Sequence, residues 1–225
     1  MKQISSKSGF AAIAASLIVF SLLSSPAVLQ AQSFEGVIEF SVTTERGTMP
    51  MTYMVKGDNV RVEMQGPRGM KATVLIDTKK NKSVMLMDQM KMYMETPQMP
   101  PPDTTQPKPE ITKTAKTQKI LGYECQEYLV KQGANESDVW VTKDLGPFQM
   151  FRMGGPRGQS NAEAWQKAIG NEGGFPLLAS TKEGDEQLSK MEATKVEKKS
   201  LDDSLFKIPD DYKPMDASMM RRPGQ

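Results

Sequence analysis

The residues whose type and spacing could do chemistry are four methionines around a short polar turn. Met85, Met87, Met92 and Met94 lie in the stretch SVMLMDQMKMYMET, Ser83 to Thr96. If the chain reverses over Asp88 to Lys91, Met87 falls opposite Met92 and Met85 opposite Met94, because cross-strand partners share a face and side chains alternate along each strand. Four thioethers then line one face. On the other, Leu86 meets Tyr93, and Asp88 can pair with Lys91 beside the turn to fix the register. Thioether sulfur is soft, polarizable and apolar, so such a face suits ordinary core, an apolar ligand of variable shape, or a Cu(I) ion. Removing Met1 leaves 17 of the 18 methionines, and 11 of them fall between Met49 and Met99.

Other chemistry finds less to work with. The chain has no histidine, which excludes Ser-His-Asp and Cys-His nucleophilic arrangements and the usual zinc sites. Its one cysteine, Cys125, can form no internal disulfide and reads either as a small buried apolar residue or as an exposed thiol. Ser204 to Lys207 fits the S-x-x-K spacing of serine acyltransferases, but Ser137-Asp138 is followed by Val139 rather than Asn, and no K-T-G triplet exists. The expectation is a non-catalytic protein with no cofactor.

The elements that must position these residues begin after residue 31. Lys2 and Lys7 precede an apolar run, Phe10 to Leu23, followed by small residues and a cut after Ala31. At 14 residues that run is short of the roughly 20 a spanning helix needs. Residues 1–31 therefore read as a secretory signal, with no transmembrane span in the mature chain, and no cysteine near the junction offers a lipid anchor. The expected location is exported, periplasmic or secreted. Loss of the two lysines brings the 29 basic residues level with the 27 acidic ones, which leaves no electrostatic footprint for nucleic acid.

The mature chain alternates apolar and polar residues over short segments, which predicts strands over Phe34 to Glu45, Met51 to Lys56, Val60 to Met64, Ala72 to Asp77, Ile111 to Lys119, Cys125 to Lys131, Asp138 to Thr142, Leu177 to Lys182 and Gln187 to Lys199. Gly57-Asp58-Asn59 and the run Gln132 to Ser137 read as hairpin turns. Residues 97–110 hold six prolines and read as an extended insertion within one sheet. A helix is predicted over about 160–170, with Ser160 or Asn161 as cap, Ala162, Trp165 and Ile169 on one face and Gly170 at its end. Residues 32–215 are thus one domain, and 216–225 a tail.

Taken together, KGDNVRVEM (56–64), the methionine hairpin, ILGYECQEYLV (120–130), VWVTKDLG (139–146) and LFKIPDDYKPM (205–215) resemble the bacterial family called domain of unknown function 4412. That family is similar, in its meander and its F-x-I-P-x-x-Y ending, to the periplasmic lipoprotein carriers. The resemblance implies a mainly β fold: one antiparallel meander curved into an open half-barrel, its concave face apolar and covered by the short helix. It implies no catalytic residues. An apolar ligand, lipid or acylated protein, would be lined by Met85, Met87, Met92, Met94, Trp165 and Ile169. The alternatives are Cu(I) held by the four methionines, and a structural envelope protein whose partners are outer-membrane components.

Overall fold

Period-two alternation runs through nearly every segment, and a chain so patterned can bury its apolar residues only by pleating into strands with one face inward. The computed structural model describes residues 34–65, 71–96, 108–149, 165, 166, 169 and 173–215. The chain divides into two units, Met1–Gln32 and Ser33–Gln225, and every described residue belongs to the second.

Among the described residues twelve strands form in chain order: β1 (Gly36–Thr44), β2 (Gly47–Lys56), β3 (Asn59–Gln65), β4 (Lys71–Asp77), β5 (Lys82–Met87), β6 (Met92–Thr96), β7 (Glu110–Ile120), β8 (Tyr123–Gln132), β9 (Asn135–Thr142), β10 (Phe175–Glu183), β11 (Glu186–Lys198) and β12 (Lys213–Pro214). They make one open sheet, a half-barrel, in the order β12-β6-β5-β4-β3-β2-β1-β11-β10-β9-β8-β7. Neighbours are antiparallel except β12, which runs parallel to β6 and departs from the expected pure meander. Two meanders, β1–β6 and β7–β11, are joined at a central seam where β1 pairs with β11 from Gly36–Lys198 to Thr44–Ser189. At Gly36 the seam is so close that a Cβ would collide with the Glu197 carbonyl oxygen.

The turns follow residue chemistry. Gly57, at φ 56°, turns β2 into β3. Between β8 and β9 the turn is shorter than the predicted Gln132 to Ser137. Gly133, at φ 62°, reverses the chain at once, so Asn135, Glu136 and Ser137 join β9 and the Ser137 hydroxyl lies 2.9 Å from that of Thr181.

The core lies on one face. Its centre is a cluster of rings: Tyr53 stacks on Phe148 at 5.4 Å and meets Phe175 edge-on at 5.3 Å, while Phe148 stacks on Trp165 at 6.4 Å. Trp165, Gln166 and Ile169 are helical, and Trp165 and Ile169 are 1% and 0% exposed. The ends predicted for this helix lie outside the described residues.

On the opposite face the C-terminal segment, residues 199–215, forms a strap across β2–β6. Lys56 donates to the Leu201 carbonyl (2.7 Å), and Arg61 Nη1 to that of Leu205 (2.9 Å). Leu75 and Leu86 are buried on this face, and the strap contributes half-buried Leu205, Phe206, Ile208 and Tyr212. Backbone bonds from Lys213 to Lys91 and from Met215 to Tyr93 fasten its end.

Candidate functional site

Register across β1–β6 lines residues of the core face into two rows. Ile38, Tyr53, Val62, Val74, Met85 and Met94 face one another in sequence across the six strands. Beside them run Phe40, Met51, Met64 and Ala72, and one residue past the end of the β4–β5 ladder the same register reaches Met87 and its partner Met92. Burial fades along both rows. Ile38, Tyr53, Val62 and Val74 are at most 2% exposed, and Phe40 and Met51 are 2% and 6% exposed. Beyond them Met64, Ala72, Met85, Met87, Met92 and Met94 are only half-buried.

The hairpin adopts the anticipated pairing, Met87 with Met92, Leu86 with Tyr93 and Met85 with Met94. A 3-10 turn over Asp88–Met90 reverses the chain, with Lys91 left-handed at φ 48°. The expected Asp88–Lys91 ion pair does not form. Lys91 Nζ instead meets Asp211 at 2.7 Å, and Asp88 accepts a 2.7 Å hydrogen bond from the Tyr212 hydroxyl. The strap brings a better-placed partner to each. Donation to the Asp88 carboxylate, then burial and nearby negative charge, push the Tyr212 hydroxyl up to about 12.

The six residues predicted to line a ligand thus fall in two places. Trp165 and Ile169 belong to the packed core cluster with Tyr53, Phe148 and Phe175, whereas the four methionines stand at the far end of the same face, outside that cluster. Met51 and Met64, absent from the prediction, lie in the row of Met87 and Met92. The signal that could have found them is parity: counting back from the Gly57 turn pairs Met51 with Met64.

Polar features lie elsewhere. A cleft of about 200 Å³ is lined by Thr52, Arg61, Glu63, Lys71, Thr73 and Asp88 among others. Another of about 280 Å³ borders Cys125, Gln126, Tyr128, Lys143 and Asp144. Cys125 is fully buried, its thiol pushed up to about 11, chiefly by burial and further by the Asp144 charge, which keeps it protonated and unreactive. The Ser204–Lys207 spacing is a 3-10 turn in which Lys207 N–H donates to the Ser204 carbonyl. Asp202 caps that turn, and Asp203 pairs with Lys56 at 2.6 Å.

Sequence reasoning also missed a pair of carboxylates at the other end of the sheet. Glu127, 2% exposed, accepts from Thr114 Oγ1 at 2.6 Å and Lys116 Nζ at 3.0 Å, both from an irregular stretch of β7. These bonds hold its carboxyl below the usual range. Asp138 shares the face opposite Tyr128 and Val139 with Glu127, by register through Trp140 and Leu129. Its Oδ1 is buried without a partner, and burial, then the Glu127 charge, raise its affinity for a proton. Among the described residues, no three or more Asp, Glu or Cys side chains gather where they could hold a metal. No described helix is long and apolar enough to cross a membrane.

The family model of a domain of unknown function, DUF4412, matches residues 34–212. No curated protein matches the sequence. The chain shows similarity to two solved structures of PNGF-II. The one in the P21 space group has 19% identity and a TM-score of 0.50 and covers 84% of this chain. The one in the C2 space group has 20% identity and a TM-score of 0.49 and covers 83%. This chain spans 32% of the length of either.

Proposed function

We propose that this chain, which belongs to the DUF4412 family, is a non-catalytic binding module of the cell envelope for an apolar ligand, a lipid or an acylated protein. The observation that carries the reading is the fade of burial along the two rows. The apolar face continues to β6 in register, but the packed core, with Met64 against its edge, stops before it does, leaving Met85, Met87, Met92 and Met94 half-buried outside it. Each of these methionines is already half-buried, so covering it with a ligand would contribute about 1 kcal/mol, roughly half the value of full burial from water, and its flexible thioether adapts to chains of varied shape. The signal-like residues 1–31 support an exported location. Trp165 and Ile169 act in this reading as the packed wall at which the binding face begins.

Mass spectrometry of the gently purified protein should recover bound lipid, and an environment-sensitive apolar dye should brighten on the protein and be displaced by fatty acid. Replacing Met85 and Met94 with Lys should abolish the dye response with the fold intact by circular dichroism. A protein consistently free of lipid and unable to bind the dye would remove the reading.

A further inference from the structure

We propose that Met85, Met87, Met92 and Met94 form a site for one soft monovalent cation, Cu(I) in biological terms. The four come from adjacent antiparallel strands in two directly opposed pairs, Met85 with Met94 and Met87 with Met92. Directly opposed Cβ atoms stand about 5 Å apart and neighbours two residues along a strand about 6.7 Å apart, so the centre of the rectangle lies about 4 Å laterally from each Cβ. Each sulfur sits two bonds beyond its Cβ and is placed by the rotamers about Cα–Cβ and Cβ–Cγ, so rotamer changes alone can turn all four toward that centre. All four side chains are half-buried: open enough for an ion to enter, yet shielded enough for weak neutral donors to compete with water.

The donor set decides which ion. Thioethers are neutral and soft, so they hold Cu(I) and its analogue Ag(I) but offer nothing to Mg²⁺ or Ca²⁺, which need charged or carbonyl oxygens. Local charge is permissive. Lys91, the cation at the hairpin turn, is held at 2.7 Å by Asp211 of the strap, and the Asp88 carboxylate stands at the same turn. Met51 is buried in the core, and Met64 is separated from Met87 by Ala72, so neither is placed to complete the rectangle. Binding forms four dative bonds and changes no oxidation state. The inference does not depend on the apolar-ligand reading.

Ag(I) titrated into the intact protein in chloride-free buffer, and Cu(I) titrated anaerobically against a chromophoric chelator, should each bind at one equivalent with Kd below about 1 µM. Met87→Leu should weaken binding at least about tenfold, the fourfold Met→Leu variant should abolish it, and replacing the exposed Met90 with Leu should leave it unchanged. Leu is nearly isosteric with Met, so the fold should survive. Should the fourfold variant misfold, the wild type still decides the matter. On adding Ag(I), the ε-methyl NMR signals of the four methionines should shift together while those of Met51 and Met191 stay in place. Binding weaker than micromolar, undiminished binding by a folded fourfold variant, or shifts confined to other methionines would overturn the proposal.

Discussion

Asp138 carries the buried side-chain oxygen that, among the described residues, lacks a hydrogen-bond partner. Around it stand Leu129 and Ser180 on the flanking strands, with Trp140 and Glu127 further along the face and Lys116 reaching Glu127 from β7. Its proton affinity is higher folded than unfolded. The folded state is therefore penalised where Asp138 is charged, and the penalty is relieved as pH falls through its folded value toward the ordinary aspartate range. Asp138→Asn should stabilise the protein at neutral pH by about 0.5–1 kcal/mol, with the gain shrinking as the medium is acidified toward pH 4. Denaturant melts of both proteins at several pH values check this, and an equal or lower midpoint for the variant at pH 7 would refute it. Glu127 behaves oppositely. Its carboxylate is stabilised by Thr114 and Lys116, so its contribution is present above the ordinary glutamate range and is lost as pH falls through its lowered value.

At the scale of elements, the hairpin and the strap are one device. The strap fastens to the hairpin turn through Tyr212–Asp88, Lys91–Asp211 and the parallel pairing of β12 with β6. The ion pair is solvent-exposed and contributes little to stability. The Tyr212 bond to a carboxylate is the stronger tie, so Tyr212→Phe should cost about 1.5 kcal/mol. It should also raise amide exchange at Lys213 and Met215 while leaving β8 and β9 protected, which hydrogen-exchange mass spectrometry can read. The hairpin pairing was legible because parity and a turn determine it locally: Leu86 and Tyr93 could face each other in only one register. The partners of Asp88 and Lys91 were not, because the groups that claim them lie more than 100 residues later, at Tyr212 and Asp211. Met51 and Met64 were readable as strand residues, but their place beside the quartet depends on a four-strand register that only the folded sheet fixes. The pair formed by buried Glu127 and half-buried Asp138 was illegible for a related reason. An acidic residue in an alternating strand is ordinarily solvated, and only the irregular stretch of β7 folded over Glu127 reverses that.

For the whole molecule, the strand order carries the most weight. β6 and β7 are consecutive in the chain but lie near opposite edges of the sheet. The ten strand spacings between them amount to about 48 Å if flat, close to the roughly 50 Å that the 13 intervening residues could span fully extended. Curling the sheet brings the two edges within easier reach. The seam makes the two meanders mutually dependent, since β1 and β11 each bury their inward residues against the other's neighbours. A chain ended at Asp185 should therefore show no cooperative thermal transition, with tryptophan emission shifted to the red as Trp165 is exposed. A sharp transition in that fragment would mean that one meander stands alone.

The same seam bears on when the protein can fold. Val37 pairs with Glu197, so the middle of the sheet cannot exist until nearly all of the chain is available, and local contacts alone cannot complete the core. Topologies dominated by such distant pairings fold on the order of milliseconds to seconds, far slower than helical bundles. A chain of this kind stays open until its last strands have been made. It becomes rigid only once its two ends have met.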